Sequence, residues 1–501
     1  MIKLIYRIES DYMSKKRMLI VTSVTLSVVT ISLGIVKLYQ TYALSNYIGT
    51  VTDTGIDVYI NDDSYASIPA NGSSNVYYML TNTNPGTVKY GVAYQTTSGV
   101  TVKVYDTSED PATGTIEEND KKYIKLHLEN KNSTNKTIEL STVLGYENGG
   151  DLVVPSGVTL VTDTYTPPPT AAEYITKLYT TASKTTVTNN SITYNTAPSV
   201  SLMNDRLGGT TTDLDGGNIR YYGASPNNYI YFNCSDYSNQ TSSTCETWRI
   251  IGVFDGKVKL IRHASIGQYS WDNKNKSTGA ENNSGKNDWT TARLMKLLNP
   301  SDYYKVDSND NNLGQSLYYN SASGKCYSGQ NNATVDCDFT STGIKNTTKN
   351  MIAETTYYLG GCNITLYPNE IYVKERGTTV YTGRPTTWTG KIALAYPSDY
   401  GYAADLNQCK DKKLTYYNDR TCTSYNWMKS IITNKGSNYG WLLTHDSINS
   451  GIAWDVLSGG DVFDYPGSYL NYEAVPVLSL SSELGIESGD GSSSNPYKLS
   501  I

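Results

Sequence analysis

The feature that most constrains this chain is an uncharged apolar stretch near its start, residues 18–36. As an α-helix these residues would span about 28 Å at roughly 1.5 Å per residue, close to the thickness of the hydrocarbon core of a bilayer. In lipid, a segment of this kind satisfies its backbone hydrogen bonds only as a helix. We therefore expect a transmembrane signal anchor at residues 18–36, with the membrane as a partner of the chain.

The charges beside this stretch predict its orientation. Residues 1–17 carry five basic and two acidic side chains, and the positive-inside rule keeps such a segment cytoplasmic. We expect a single-pass protein of the cell membrane with its C-terminal domains extracellular. A cleavable signal peptide is the alternative, because Thr41-Tyr42-Ala43 resembles a cleavage site, although the apolar part of signal peptides is usually only about 7–15 residues.

The composition excludes two classes of protein. The formal net charge is −6 and charged residues make up 18% of the chain, whereas a nucleic-acid binder needs clustered Lys and Arg. The 38% of hydrophobic residues does not fit a disordered acidic tail. We therefore expect no nucleic acid among the partners.

Period-two alternation of apolar residues dominates residues 45–163. Alternation aims every second side chain at one face of a sheet, as at residues 100–104 and 123–128. Short strands separated by turn residues predict an antiparallel β-sandwich of the immunoglobulin-like type. His127 falls on the polar face, where we expect it to be solvated.

Three consecutive prolines after this region mark a semi-rigid linker, and Thr170 with Glu173 forms the capping box of a following helix. The chain then mixes strands with a few helices until a Gly- and Ser-rich end, where we expect one edge strand at residues 495–499. The expected fold is mainly β with some α. It comprises a cytoplasmic basic segment, the transmembrane anchor, the sandwich, the linker, a helix plus an α+β domain, and a C-terminal tail, at residues 1–17, 18–36, 45–163, 164–170, 171–486 and 487–501 respectively.

Two local patterns within residues 171–486 predict specific elements. Residues 248–254 and 257–261 are expected to form two strands of a hairpin. Asp255-Gly256, a dipeptide typical of tight hairpin turns, joins them. Residues 349–359, which end at Gly360-Gly361, are expected to form a helix.

All seven cysteines lie in the predicted α+β domain. An extracellular location favours local disulfides, and each closure would contribute about 3 kcal/mol. The expected pairs are Cys234 with Cys245, Cys326 with Cys337, and Cys409 with Cys422. Cys362 is left as a free thiol, for which a buried apolar role, a covalent dimer and a reactive role remain open. Without a C-x-x-C pair, and with three histidines in the chain, we expect no metal site.

The main enzymatic alternative is a cell-envelope thiol hydrolase, a peptidase or amidase, with Cys362 as the nucleophile and His445 as the base. Cys362 follows the predicted helix stop, whereas a helix N-terminus would help to form its thiolate. Carboxylates for sugar hydrolysis are present, but sequence spacing does not say which of them meet. They are Asp272, Glu281, Asp455, Asp461 and Asp464. No local signature supports these chemistries, and we expect no enzyme.

The order of short motifs in the α+β domain resembles that of an uncharacterised family of exported bacterial domains. The motifs are the Trp-led hairpin, W-T-T-A-R-L-M-K-L-L-N-P, K-I-A-L-A-Y, W-L-L-T and V-P-V-L-S-L, at residues 248–261, 289–300, 391–396, 441–444 and 475–480. That family is similar to the bacterial branch of the C-type-lectin-like fold. This branch includes formylglycine-generating-enzyme-like domains and the variable receptor proteins of diversity-generating retroelements.

The resemblance implies a C-type-lectin-like scaffold that presents variable loops. In the receptor-like relatives the variable surface precedes the last strand, and it corresponds here to residues 445–472. The calcium tripeptides of the lectins are absent, and Trp271-Asp272-Asn273 is not the W-N-D order. Calcium-dependent sugar binding is therefore not implied, and no cofactor is expected.

The loop segment 445–472 is rich in Tyr, Trp, Asn, Ser and Gly, which combine rigid contact area with adaptable hydrogen bonding. The expected binding residues are Asp461, Asp464, Tyr465, Tyr469, Tyr472 and Trp454. For Trp454, a place in the core of a strand is the alternative. We expect a non-catalytic recognition module of the cell surface, adhesin- or receptor-like, that binds a glycan or protein. The thiol hydrolase and an envelope structural protein are the alternatives.

Overall fold

The chain divides between Thr166 and Pro167 into two units, Met1–Thr166 and Pro167–Ile501. A computed structural model describes residues 44–49, 65–82, 86–145, 152, 154–279, 283, 285–305 and 313–500. Both units are built mainly from strands paired in antiparallel sheets, as the sequence predicts. The division falls inside residues 164–170, the segment expected to be a linker.

None of the helices in these described ranges is both long and apolar enough to cross a membrane. The predicted anchor at residues 18–36 and the basic segment at residues 1–17 lie outside the described residues. Their assignment stays a prediction.

The first unit consists of strands in two sheets. Its strands are β1 (Leu44–Gly49), β2 (Tyr65–Ile68), β3 (Gly72–Asn82), β4 (Val88–Gln95), β5 (Val100–Tyr105), β6 (Thr113–Ile116), β7 (Lys121–Asn130), β8 (Lys136–Gly145), β9 (Val158–Leu160) and β10 (Thr164–Tyr165). One sheet has the order β1-β3-β7-β5-β10. The other has the order β2-β8-β4-β6, with β9 also paired to β4. The pairs are antiparallel except that β10 runs parallel to β5.

One apolar core lies between these two sheets. Strand β7 contributes Ile124, Leu126 and Leu128, all fully buried, and the other sheet contributes Tyr90 and Ile138 to the same cluster. Alternate side chains of each sheet therefore point into a shared interior, as expected for two sheets packed face to face. The alternation predicted from the sequence is confirmed.

His127 lies on the opposite face of β7, but it is not solvated. It is only 6% exposed. Its ring stacks on that of Tyr165, with 3.6 Å between centroids and 7° between planes, and its Nδ1 lies 2.7 Å from Asn75 Oδ1. The expectation of a solvated histidine is wrong, because the pairing of β10 with β5 brings Tyr165 over this ring.

The second unit contains further strands with short helices between them. The strands are β11 (Thr185–Asn189), β12 (Ile192–Ala197), β13 (Leu202–Asn204), β14 (Ile219–Tyr221), β15 (Tyr229–Phe232), β16 (Glu246–Phe254), β17 (Lys257–Arg262), β18 (Gln268–Ser270), β19 (Ser323–Tyr327), β20 (Thr334–Asp338), β21 (Thr355–Tyr358), β22 (Thr387–Gly390), β23 (Ile392–Ala393), β24 (Gly440–His445), β25 (Ala453–Val456), β26 (Val462–Phe463), β27 (Asn471–Glu473), β28 (Val477–Ser479), β29 (Gly485–Ser488) and β30 (Lys498–Ser500). The helices are α1 (Ala171–Thr181), α2 (Arg206–Gly209), α3 (Arg293–Leu298), α4 (Pro368–Glu375), α5 (Pro397–Tyr402), α6 (Arg420–Thr423) and α7 (Lys429–Ile432). Single 3-10 turns lie at Pro198–Val200, Lys276–Thr278, Trp289–Thr291, Ser301–Tyr303, Lys349–Met351 and Leu414–Tyr416.

The predicted hairpin at residues 248–261 is present at the centre of the largest sheet. Strands β16 and β17 are antiparallel neighbours, and the turn residues Asp255 and Gly256 have φ of 48° and 73°. Two positive φ values match the twist of the flanking strands. This sheet has the order β11-β12-β13-β14-β16-β17-β28-β23, and β15 also pairs with β16.

The helix predicted for residues 349–359 is wrong. After the single 3-10 turn, the chain enters β21, which pairs with β22. β-Branched and aromatic residues dominate at this position, and they fit a pleated strand better than a helix. Tyr357 is buried there with its ring centroid 5.6 Å from that of Trp388.

Residues 487–500 are part of the folded unit and not a separate tail. Strand β29 pairs with β30, and β30 overlaps the predicted edge strand at residues 495–499. Tyr497 and Leu499 belong to the main core. The capping box of α1 is also confirmed. The amide of Ala171, at the start of α1, donates to Leu484 O at 2.7 Å, so the two ends of this unit meet.

The three predicted disulfides are confirmed. They join Cys234 to Cys245, Cys326 to Cys337, and Cys409 to Cys422. Each closes a short local loop, which constrains the unfolded chain more than it adds contacts.

A fully buried charge network connects separate parts of the second unit. Arg220, on β14, donates from Nε to Asp205 Oδ2 at 2.6 Å and from Nη1 to Asp399 Oδ1 at 2.8 Å. Lys259, on β17, pairs with the other oxygen of Asp399. Burial favours the neutral acid, but Lys259 and Arg220 lower the pKa of Asp399 to about 2. Each charge here has an opposite charge in contact, as buried ions require.

We predict that Trp248→Ala destabilises the second unit by about 3–5 kcal/mol, because it removes a large side chain from a close-packed interior. Trp248 is fully buried, with its ring centroid 5.4 Å from that of Phe232. The free energy of unfolding from urea titration measures the effect. Tyr416→Ala, at a side chain 60% exposed, is the control and should change it by less than about 0.5 kcal/mol. Equal losses in both variants would contradict this assignment of core and surface.

Candidate functional site

The segment 445–472 extends from the second sheet of this unit, whose order is β18-β27-β24-β25-β26. Every residue of β24 and β25 is buried. The connections around β25 and β26 therefore project from a close-packed base, which holds their ends in place.

Tyr465 is the most exposed aromatic side chain of this segment, at 77% of its surface. Its ring centroid lies 5.9 Å from that of Phe463, at the end of β26. The loop that carries Tyr465 is held on its C-terminal side, because Ala453 N donates to Pro466 O at 3.3 Å and Ser468 N donates to Gly451 O at 2.8 Å. The ring is thus presented to solvent by a backbone that is itself fixed.

The other expected binding residues differ in exposure. Asp464, Tyr469 and Tyr472 are partly buried, and Asp461 is buried. Trp454 is fully buried, and its Nε1 donates to Cys362 O at 3.3 Å. Trp454 cannot contact a ligand in this structure, because its side chain is part of the hydrophobic core.

Aromatic rings pack beside β24. The ring centroid of Tyr472 lies 4.6 Å from that of Trp441 and 5.2 Å from that of Tyr439. Trp441 is buried, whereas Tyr439 is exposed. Tyr472 therefore connects the interior to the surface through contacts between rings.

Asp455, in the middle of β25, is the most unusual side chain of this sheet. It is fully buried, and neither carboxylate oxygen has a hydrogen-bond partner. Burial raises the pKa of Asp455 well above its ordinary value, and the negative charges of Asp461 and Asp464 raise it further. Most buried polar groups are hydrogen-bonded, so this exception needs a physical reason.

Sequence reasoning included Asp455 only among the carboxylates of a hydrolase and did not select it for binding. A signal was available in the short apolar run Ala453-Trp454-Asp455-Val456. A carboxylate inside a run that reads as a buried strand costs free energy unless it is neutral or paired.

Cys362 and His445 do not form a nucleophile and base pair. Cys362 is buried, its Sγ lies 3.5 Å from Ile364 O, and burial raises the pKa of its thiol to about 12. His445 is buried, and burial followed by the charge of Arg384 lowers its pKa to about 4. No hydrogen bond joins Sγ to the imidazole among the contacts of the described residues, although Gly361 packs against His445. A reactive cysteine needs a stabilised thiolate, which this environment opposes.

No group of three or more His, Cys, Asp or Glu side chains able to hold a metal ion occurs in the described part of the chain.

The raised pKa of Asp455 predicts a pH-dependent stability. The folded state keeps this carboxyl protonated at pH values where the unfolded chain has released the proton, so the folding free energy becomes less favourable as pH rises above about 4. Asp455→Asn removes this titration. We expect the variant to have a higher melting temperature than the wild type at pH 8 and a smaller decrease in melting temperature between pH 5 and pH 8. Parallel melting curves for the two proteins across that range would refute the assignment.

A comparison of the chain with protein-family models gave no match, and a comparison with curated protein sequences gave none.

Proposed function

We propose that this chain is a non-catalytic recognition module of the cell surface, adhesin- or receptor-like, that binds a glycan or protein through segment 445–472. The observation that carries the proposal is the exposure of Tyr465 on a loop with a fixed backbone. A rigid aromatic side chain offers large contact area at a low entropic cost, and such residues dominate binding energies in recognition surfaces.

The proposal includes display of the second unit from a membrane. In this proposal residues 18–36 form the single transmembrane anchor with a cytoplasmic N-terminus. The sandwich of the first unit belongs to the immunoglobulin-like class, and the second unit is C-type-lectin-like. Three disulfides within one unit favour an oxidising, extracellular compartment.

The thiol hydrolase has less support. Its nucleophile would be a buried thiol with a pKa of about 12, of which almost none is ionised at neutral pH. No described contact favours the envelope structural role over recognition.

We predict that Tyr465→Ala weakens ligand binding about 10-fold or more, which corresponds to about 1.4 kcal/mol. The full chain in detergent would be tested on a glycan array and on a panel of purified surface proteins, with affinities from titration on each hit. Tyr416→Ala, at an exposed tyrosine outside segment 445–472, is the matched control and should bind like the wild type. Wild-type affinity in Tyr465→Ala, or the absence of any saturable ligand, would contradict the proposal.

The anchor predicts a second result. External protease applied to intact cells should release soluble fragments of both described units and leave residues 1–17 protected. Recovery from the medium of a chain that starts after Ala43 would show instead that the apolar stretch is a cleaved signal peptide.

A further inference from the structure

Arg249, on β16, is a buried cation without an acidic partner among the described residues. Its Nε donates to Asn228 Oδ1 and its Nη2 donates to Pro226 O at 3.3 Å, and both acceptors are neutral. No ion pair of the described residues involves Arg249, whereas Arg220 of the same unit contacts two carboxylates. Buried cations are normally paired, so Arg249 holds a positive charge that no described residue balances.

Two aromatic rings pack on the guanidinium of Arg249. Its guanidinium carbon lies 3.7 Å from the ring centroid of Tyr229 and 4.8 Å from that of Trp427. Cation–π attraction of this kind stabilises the charged form, although burial lowers the pKa of Arg249 to about 10. A group with this pKa remains charged at neutral pH.

Arg249 lies on the solvent side of the large sheet. Along β15 and β16 the core side is formed by Ile230 and Trp248, which are fully buried, whereas Tyr231 and Thr247, directly opposite each other, are half-buried. Arg249 is two residues from Thr247 on the same strand and therefore points to the same side. Its Nη1 has no hydrogen-bond partner among the described residues, yet it is not one of the completely buried polar atoms without a partner. This nitrogen is open to solvent, although the rest of the side chain is covered.

Two further basic side chains lie near Arg249, and both are exposed. His263 follows β17, its amide donates to Thr247 O at 3.3 Å, and its ring centroid lies 5.5 Å from that of Tyr229. Burial, and next the charges of Arg249 and Lys435, lower the pKa of His263, which requires the three groups to lie within electrostatic range. Neither His263 nor Lys435 is in an ion pair with a described residue.

Basic groups without acidic partners suit an anionic ligand. Carboxylate, sulfate and phosphate groups accept charge-assisted hydrogen bonds from a guanidinium, and such bonds are roughly twice as strong as those between neutral groups. Stacking on aromatic rings also fixes the plane of a guanidinium, so that less entropy is lost when it binds an oxyanion. A cationic ligand would instead be repelled by Arg249 and Lys435.

We infer that Arg249 and the sheet surface around it bind an oxyanion group of a ligand. Nη1 of Arg249 donates to the oxyanion, and the side chains of Thr247 and His263 offer further hydrogen-bond donors. Lys435 adds positive charge that attracts the ligand. The site lies outside segment 445–472, so it is a second binding site and does not depend on the proposed function.

The test compares four sugars that differ only at carbon 6: glucose, glucuronate, glucose 6-sulfate and glucose 6-phosphate. Their binding to the full chain in detergent would be measured by titration calorimetry. We expect at least one of the three charged sugars to bind about 10-fold or more tightly than glucose, and their order of affinity identifies the oxyanion. Arg249→Met should reduce the binding of that sugar to the level of glucose. Lys410→Gln, at an exposed lysine elsewhere in the second unit, should bind like the wild type.

Equal affinity for glucose and the three charged sugars would overturn the inference, as would wild-type affinity of Arg249→Met for the charged sugar. Because Arg249→Met removes a buried charge without an acidic partner, we expect its melting temperature to equal or exceed that of the wild type. The double variant His263→Gln with Lys435→Gln changes only exposed side chains and tests the site independently of folding. A loss of about 3-fold or more supports the site, and wild-type affinity overturns it.

Discussion

The second unit depends on Arg220, whose guanidinium is buried between two carboxylates and three aromatic rings. It joins Asp205 to Asp399, and its guanidinium carbon lies 4.5 Å from the ring centroid of Phe254 and 4.9 Å from that of Tyr402. Removal of one member would leave the others charged and buried, which costs about 3–5 kcal/mol in such networks. Because Asp399 lies on α5 and Arg220 on β14, this contact fixes a helix against the large sheet. The residues just before α5 contact the second sheet, because Leu443 N on β24 donates to Ala395 O at 2.9 Å.

Asp399 and Asp455 show two outcomes for the same side chain in the same interior. Two cations and the Tyr396 amide hold Asp399 in its charged form. Asp455 has no such partners, and burial favours its neutral form. Local rules of folding are obeyed at the first residue and broken at the second, and breaks of this kind are expected at functional positions. The two residues therefore show that a buried carboxyl in this unit either pairs with cations or keeps its proton.

The success of the sequence analysis depended on the range of the interactions involved. Alternation located the strand of Ile124, Leu126 and Leu128, and the Asp255-Gly256 turn located the central hairpin, because both signals lie within a few residues. The three disulfide pairs were also predictable, because the paired cysteines lie close together in the sequence. The burial of His127 was missed because Tyr165, far along the chain, covers it. Among the expected binding residues, Tyr465 has the exposure that its residue type suggested. The short apolar run that holds Trp454 and Asp455 indicates a buried strand, but it does not say which strands flank β25 or that Asp455 has no partner there.

The contact between the two ends of the second unit also determines when it can fold. Helix α1 begins the unit, and its first amide is bonded to Leu484, while Tyr497 and Leu499 complete the core beside it. Contacts of such long sequence separation form late and slowly. While Tyr497 and Leu499 are still inside a ribosome, the unit lacks part of its interior, whereas its short disulfide loops are already able to close. An emerging chain would thus expose an unfinished apolar core until Leu499 has emerged, which makes it a substrate for chaperones during that interval.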